Sequence, residues 1–272
     1  MMRKGGIGRG KGDKMKLGFH THPRMNTIDE IRWIGRSGFD FVDLFLEADL
    51  ALPEHIDVEG ARTVLEQYDL GVVGHTAWYL PIGSPCVSLR DAAVAEAVRC
   101  FGVLQTLGAV YVTIHANWAP AKMFSAKEAC EYQIDSLRRL TKAAGSYGLR
   151  VMYEPVGSPR DTVENVAAVL EAVPDLSLHI DIGHANLCGR DPASFISELH
   201  ERLVHIHMHD NDGNADQHLP VGCGTIDWTS TMAALKKYFD GTITLEVFSR
   251  DRDYALLARD KVKEMWRGKG DA

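Results

Sequence analysis

No apolar run in the chain reaches the ~18 residues that span a bilayer, which argues against a membrane-crossing helix. Cysteine is sparse: Cys86, Cys100, Cys130, Cys188 and Cys223 are odd in number, scattered, and contain no CxxC pair. That usage excludes a disulfide framework and a cysteine-built zinc site, and makes a reducing cytoplasm the expected compartment. A surplus of positive charge is also missing. The formal net charge is -7, so contact with nucleic acid would need a local basic patch. No Pro- or Ser-rich linker interrupts the 272 residues, and that length fits one large α/β domain. Residues 1–14 are rich in Gly, Lys and Arg and lack the apolar core of a signal peptide. They read as a flexible tail ahead of a domain covering 15–272.

What the chain does have is 12 histidines, and their positions follow a pattern. From Lys16 onward, short apolar runs alternate with longer amphipathic segments. Strands are expected at Lys16–His20, Phe39–Leu44, Gly71–His75, Ala109–His115, Leu149–Glu154, Leu176–Asp181, Leu203–His209 and Thr242–Val247. Helices are expected at Thr27–Ser37, Val58–Tyr68, Leu89–Leu107, Ala126–Tyr147, Thr162–Ala172, Pro192–His200, Trp228–Phe239 and Tyr254–Trp266. Near-continuous apolar strands, each followed by a helix, indicate a parallel sheet buried on both faces. Eight such units at this length indicate a (β/α)8 TIM barrel.

Seven of the eight expected strands end in His, Asp or Glu: His20, His75, His115, Glu154, Asp181, the pair His207 and His209, and Glu246. In a parallel barrel those ends meet at one mouth. Crowded, buried imidazoles and carboxylates cost several kcal/mol unless something cationic pairs them. Their donor chemistry suits a divalent ion such as Zn, Mn, Fe or Co. Alternation places His205, His207 and His209 on one face of the seventh strand. His205, lying deeper, reads as support for the site, and His179 reads as structural beside Asp181. His184 follows three residues after Asp181, and a loop Asp216-Gln217-His218 enters the same mouth.

From about Lys16 to the last helix the chain resembles the xylose-isomerase-like barrel superfamily, which includes sugar epimerases and type IV apurinic endonucleases. Glu154, Asp181, His207 and Glu246 look like the ligand set of the isomerases and epimerases. His75 in GHTAWYLPIGSP, His115 in VTIHANW, His184 in DIGH, and Asp216 with His218 in DQHLPVGCGTIDW look like the additional ligands of the endonucleases. The endonucleases typically carry HPG after the fourth strand and DTCHAF after the sixth, where this chain has HANW and DIGHAN. HMHDNDGNADQHLPVGCGTIDW and LEVFSR read like the sugar-isomerase members.

The resemblance therefore implies one to three divalent ions, zinc or manganese, and two chemistries. As an isomerase or epimerase of a sugar or sugar phosphate, the chain would use Glu154 and Glu246 as acid and base. His184 and His207 would hold hydroxyls, Trp78 and Trp118 would wall the pocket, and His20 and His209 would face the substrate. Arg250 would meet a phosphate. As a multinuclear zinc phosphodiesterase, the chain would use all nine ligands and could act on DNA. A non-enzymatic metal-binding barrel is the third reading. Pairing of barrels into a homo-oligomer is expected from the resemblance.

Overall fold

The computed structural model describes residues 15–268; the tail expected at residues 1–14 lies outside them. Eight parallel strands close into a barrel in sequence order: β1 (Lys16–His20), β2 (Phe41–Leu46), β3 (Gly71–Thr76), β4 (Tyr111–His115), β5 (Arg150–Glu154), β6 (Ser177–Asp181), β7 (Leu203–Met208) and β8 (Thr242–Leu245). The helices are α1 (Thr27–Arg36), α2 (Val58–Tyr68), α3 (Val87–Thr106), α4 (Ala126–Ser146), α5 (Val163–Ala172), α6 (Ile182–Asn186), α7 (Pro192–Leu199), α8 (Trp228–Tyr238) and α9 (Asp253–Arg267). The expected barrel is therefore present. Most element ends move by one or two residues from the sequence reading, and two differences bear on the site. β2 runs two residues further than expected, and the five-residue α6 was not foreseen.

Both differences have local causes. Asp40 closes the turn before β2, its carboxylate accepting from the Leu17 amide at 3.0 Å, so pairing with β1 begins only at Phe41. α6 exists because Asp181 caps it: its Oδ1 accepts from the His184 amide at 2.8 Å. A carboxylate there satisfies an orphan N–H of the first turn and favours the positive helix end.

The strands separate two cores. Outward side chains such as Leu17, Val42, Leu44, Val112 and Ile206 pack under the helices in one continuous apolar cluster. Inward side chains change character along the barrel axis. At the bottom, Phe41, Val73 and Met152 form a small apolar plug. One layer higher lie Asp43, Thr113, His179, His205 and Thr244, all fully buried. The mouth comes last, and the inward strand ends there are polar except on β2, where Phe45 packs its ring 4.3 Å from that of His75. Strand register fixes its height, because Asp181 pairs with His207 and His115 with Glu154.

Candidate metal and active site

Three ligand sets meet at the mouth. In the central set, His207 Nδ1 lies 2.9 Å from Glu246 Oε2 and 3.9 Å from both Glu154 Oε1 and Asp181 Oδ2. Glu154 Oε1 and Asp181 Oδ2 are buried and make no hydrogen bond. In a second set, Glu154 Oε2 lies 3.3 Å from His75 Nε2 and 2.9 Å from His115 Nε2. In the outer set, Asp216 Oδ2 lies 3.2 Å from His184 Nε2 and 3.1 Å from His218 Nε2. His209 Nε2 stands between the central and outer sets, 3.0 Å from Asp181 Oδ1 and 3.5 Å from Asp216 Oδ1.

The imidazoles are held in a common way. His75, His184, His209 and His218 each place Nδ1 beside a backbone carbonyl, of Thr76, Pro155, Asp210 and Glu246, at 2.8 to 3.3 Å. Such a contact holds each ring with Nε2 turned into the mouth. His207 is mounted the other way round. Its Nε2 lies 2.8 Å from Asp43 Oδ2, which presents Nδ1 to the central carboxylates. Asp43 also meets His205 Nε2 at 3.3 Å and accepts from the Thr244 hydroxyl at 3.0 Å. This carboxylate–imidazole arrangement orients a metal ligand from behind.

Buried lone pairs facing buried carboxylates are unfavourable without a proton or a metal cation between them. The donor set, imidazole and carboxylate oxygen on every side, fits a divalent ion of the zinc or manganese type. The acid–base balance agrees. Burial works against the Glu154 carboxylate, yet His115, His179 and His75 hold it well below the usual range. Burial likewise disfavours charge on His184, but Asp181, Asp216 and Glu154 raise it to about 10. The same opposition, with Glu246 and Asp216 as the anions, raises His218 to about 9. Protons thus stand in for positive charge that this cage of carboxylates demands.

The remaining candidates separate. His20 is buried at the end of β1, its Nδ1 3.2 Å from the Thr21 carbonyl and its Nε2 without a partner. Burial lowers it to about 4, so it is a neutral acceptor at neutral pH. Trp78 stands on the rim, 61% exposed. Trp118 is committed elsewhere: its indole N–H donates to Asp161 Oδ1 at 2.7 Å and its ring packs on the outer core. Arg250 is exposed on the segment after β8. Both nitrogens of His207 face carboxylates, Nδ1 that of Glu246 and Nε2 that of Asp43, so neither is free for the expected hydroxyl contact.

Two residues escaped the sequence reading. Asp43 sits inside the apolar run FVDLFL, and Glu47 follows it one residue past β2. Glu47 is half-buried near His75, Glu246 and the Trp78 amide, and burial raises its pKa. Four-residue spacing from Asp43, both with inward parity, was the available signal.

The chain matches the family described as xylose isomerase-like TIM barrel over residues 31–267, and it belongs to that family. Among curated relatives, it is 27% identical to the uncharacterized protein MJ1311 of Methanocaldococcus jannaschii, over 73% of this chain and 75% of the relative. It is also 27% identical to a ketose 3-epimerase of Arthrobacter globiformis, over 78% of this chain and 74% of that protein. Among solved structures, a D-tagatose 3-epimerase-like protein superposes with a TM-score of 0.83 at 22% identity, covering 93% of this chain and 97% of that one. The IOLI protein with a binding zinc atom superposes with a TM-score of 0.79 at 18% identity, covering 93% and 98%. At these identities the superpositions establish the shared barrel. No helix among the described residues is long and apolar enough to cross a membrane.

Proposed function

We propose that the protein is a divalent-metal-dependent epimerase or isomerase of a small sugar or sugar phosphate. The observation that carries this reading is the placement of Glu154 and Glu246. They reach the mouth from β5 and from just past the end of β8, and both approach His207 Nδ1, at 3.9 Å and 2.9 Å. The similarity to a ketose 3-epimerase supports it.

Glu154, Asp181, His207 and Glu246 would hold the ion. When bound, it would polarise a carbonyl and its neighbouring oxygen and so acidify the adjacent C–H bond. One glutamate then takes the proton from one face of that carbon. The other, protonated, returns a proton from the opposite face, and exchange with solvent restores both. Such paired general acid–base transfer contributes roughly 10²–10⁴-fold in rate. His20 Nε2, a neutral acceptor, is suited to a sugar hydroxyl, and Trp78 offers an apolar rim for the ring.

A specific observation favours a second reading. The ligand atoms of His75, His115 and Glu154 lie within 4.8 Å of one another, as do those of Glu154, Asp181 and His207. A mononuclear epimerase has no need of the former set, whereas a multinuclear phosphodiesterase does.

The test is proton exchange. The metal-loaded protein is incubated with candidate ketoses in D2O and the carbon-bound proton beside the carbonyl is followed by NMR. Deuterium incorporation that disappears in Glu154→Gln and Glu246→Gln supports the proposal. Absence of exchange with every ketose, together with incision of a duplex bearing an abasic site, establishes the second reading.

A further inference from the structure

His209 is placed with more care than a core residue needs. It lies just past β7 and is fully buried. Its ring occupies space that only a glycine at position 183 leaves open: a Cβ there would stand 1.9 Å from His209 Cε1 and 2.4 Å from Nε2. On its other side it stacks on His218, with ring centroids 4.1 Å apart and planes at 26°. His218 in turn stacks on Phe248 at 4.1 Å.

The Nδ1 of His209 lies 3.3 Å from the Asp210 carbonyl, which mounts the ring with Nε2 turned into the mouth. There Nε2 faces two carboxylate oxygens, Asp181 Oδ1 at 3.0 Å and Asp216 Oδ1 at 3.5 Å, and makes no hydrogen bond. His184 and His218 have the same mounting, Nδ1 on a backbone carbonyl and Nε2 on Asp216. The ligand atoms of Asp181, His184 and His209 lie within 4.8 Å of one another, and so do those of His209, Asp216 and His218. His209 is the member common to both groups.

From this arrangement we infer that His184, His209, Asp216 and His218 hold one zinc-type ion with four protein ligands. The endonuclease resemblance supplies three of them, and His209 is the fourth. Four protein ligands close a tetrahedral zinc site, whereas catalytic sites keep a position open for water or substrate. The outer ion is then structural. It rivets the segment after β7 to α6 and shapes one wall of the mouth. That segment is already tied at its base, where Asp210 and Leu219 exchange backbone hydrogen bonds of 2.8 and 2.9 Å. The Asp210 carboxylate also accepts from the Gly222 amide and the Trp228 indole, each at 2.8 Å. Asp216 and His218 extend from that base, and the ion fixes them. The inference rests on the mouth binding divalent ions and is independent of the reaction at the central set.

Two measurements on the full-length protein test it. The first is an anomalous-diffraction map at the zinc edge of zinc-loaded crystals. A zinc peak ~2.0–2.1 Å from His209 Nε2, and bonded to His184, Asp216 and His218, is the expected result. A zinc peak on those three residues and a water, with His209 outside bonding distance, overturns the inference. The second is titration with Co2+, whose visible band is intense when the ion is tetrahedral. His209→Ala should lose that band and weaken the outer site by about 10-fold or more. Binding at the central set, monitored against Glu154→Gln, should be retained. An unchanged band in His209→Ala contradicts the inference, as does loss of the central ion instead, which would make His209 only a support for Asp181. Because the map uses the unaltered chain, poor folding of the variant does not protect the claim. A protein that fails the ketose exchange test but shows the four-ligand zinc keeps this inference and loses the proposed reaction.

Discussion

The central and outer ligand sets touch where Asp181 Oδ1 lies 3.0 Å from His209 Nε2, yet they are built from different materials. Glu154, Asp181 and His207 project from three adjacent strands, and Glu246 comes one residue after a fourth. Strand register sets their height, and Asp43 braces His207 from the layer beneath. The outer set takes His184 from a five-residue helix and His209, Asp216 and His218 from the segment after β7. Strand ends hold side chains in place before any ion arrives, which is what acid–base chemistry requires. Loop ligands are organised by the ion they bind. Under the proposed function and the four-ligand outer site, the center carries the chemistry and the rim the architecture.

The sharpest way to break that division is to remove each center's carboxylates in turn. Glu154→Gln or Glu246→Gln should lower the epimerisation rate by roughly 10²–10⁴-fold, with the outer ion still bound. Asp216→Asn should release the outer ion while leaving measurable turnover. Equal losses from both kinds of variant would erase the distinction. The brace beneath the center comes next. Asp43→Ala leaves two buried imidazoles without their shared carboxylate, and should destabilise the fold by about 3–5 kcal/mol in denaturant titration. Asp43→Asn, which retains hydrogen-bonding capacity, should cost less while still weakening the central ion.

The rim gives smaller effects. Zinc at 100 times its dissociation constant for the outer site should raise unfolding stability by about 2.7 kcal/mol, a gain absent in Asp216→Asn. The sign of its pH dependence follows from the imidazoles. Buried among Asp181, Asp216 and Glu246, His184 and His218 are raised to about 10 and about 9, so they hold protons at neutral pH. Zinc must displace those protons, and the gain therefore shrinks as pH falls. Trp78→Ala should shift stability by no more than about 0.5 kcal/mol, because the side chain is largely exposed. Its effect should be a raised KM for sugars. A Trp78 variant with normal KM would remove the rim from substrate recognition.

The same contrast decides how much could be read in the sequence. Seven polar strand ends were legible because alternation and parallel topology both force them to one mouth. Glu154, Asp181, His207 and Glu246 emerged from that rule alone, and the resemblance then singled them out as a set. Asp43 was hidden because it interrupts an apolar run without ending it, so the run reads as a strand bearing one odd residue. Glu47 was lost with the far boundary of β2. His209 was legible as a mouth residue, but its partners were not. Those depend on the glycine at 183 and on the return of a long segment bearing Asp216, and neither leaves a periodic signal. For Trp118 the sequence suggests a sugar wall because it stands beside a ligand, and gives no sign that its indole N–H donates to Asp161.

With a closed outer zinc as proposed, an ion count by itself would not separate the two chemistries, since that ion adds to the total without joining the reaction. Hydrogen exchange does separate them. The deciding measurement is deuterium incorporation from solvent into the carbon beside a ketose carbonyl, catalysed by the metal-loaded protein. Incorporation that is abolished by chelation and by Glu154→Gln or Glu246→Gln is the predicted result. Absence of exchange across ketoses and ketose phosphates, with phosphodiester cleavage by the same preparation, would contradict the proposed function.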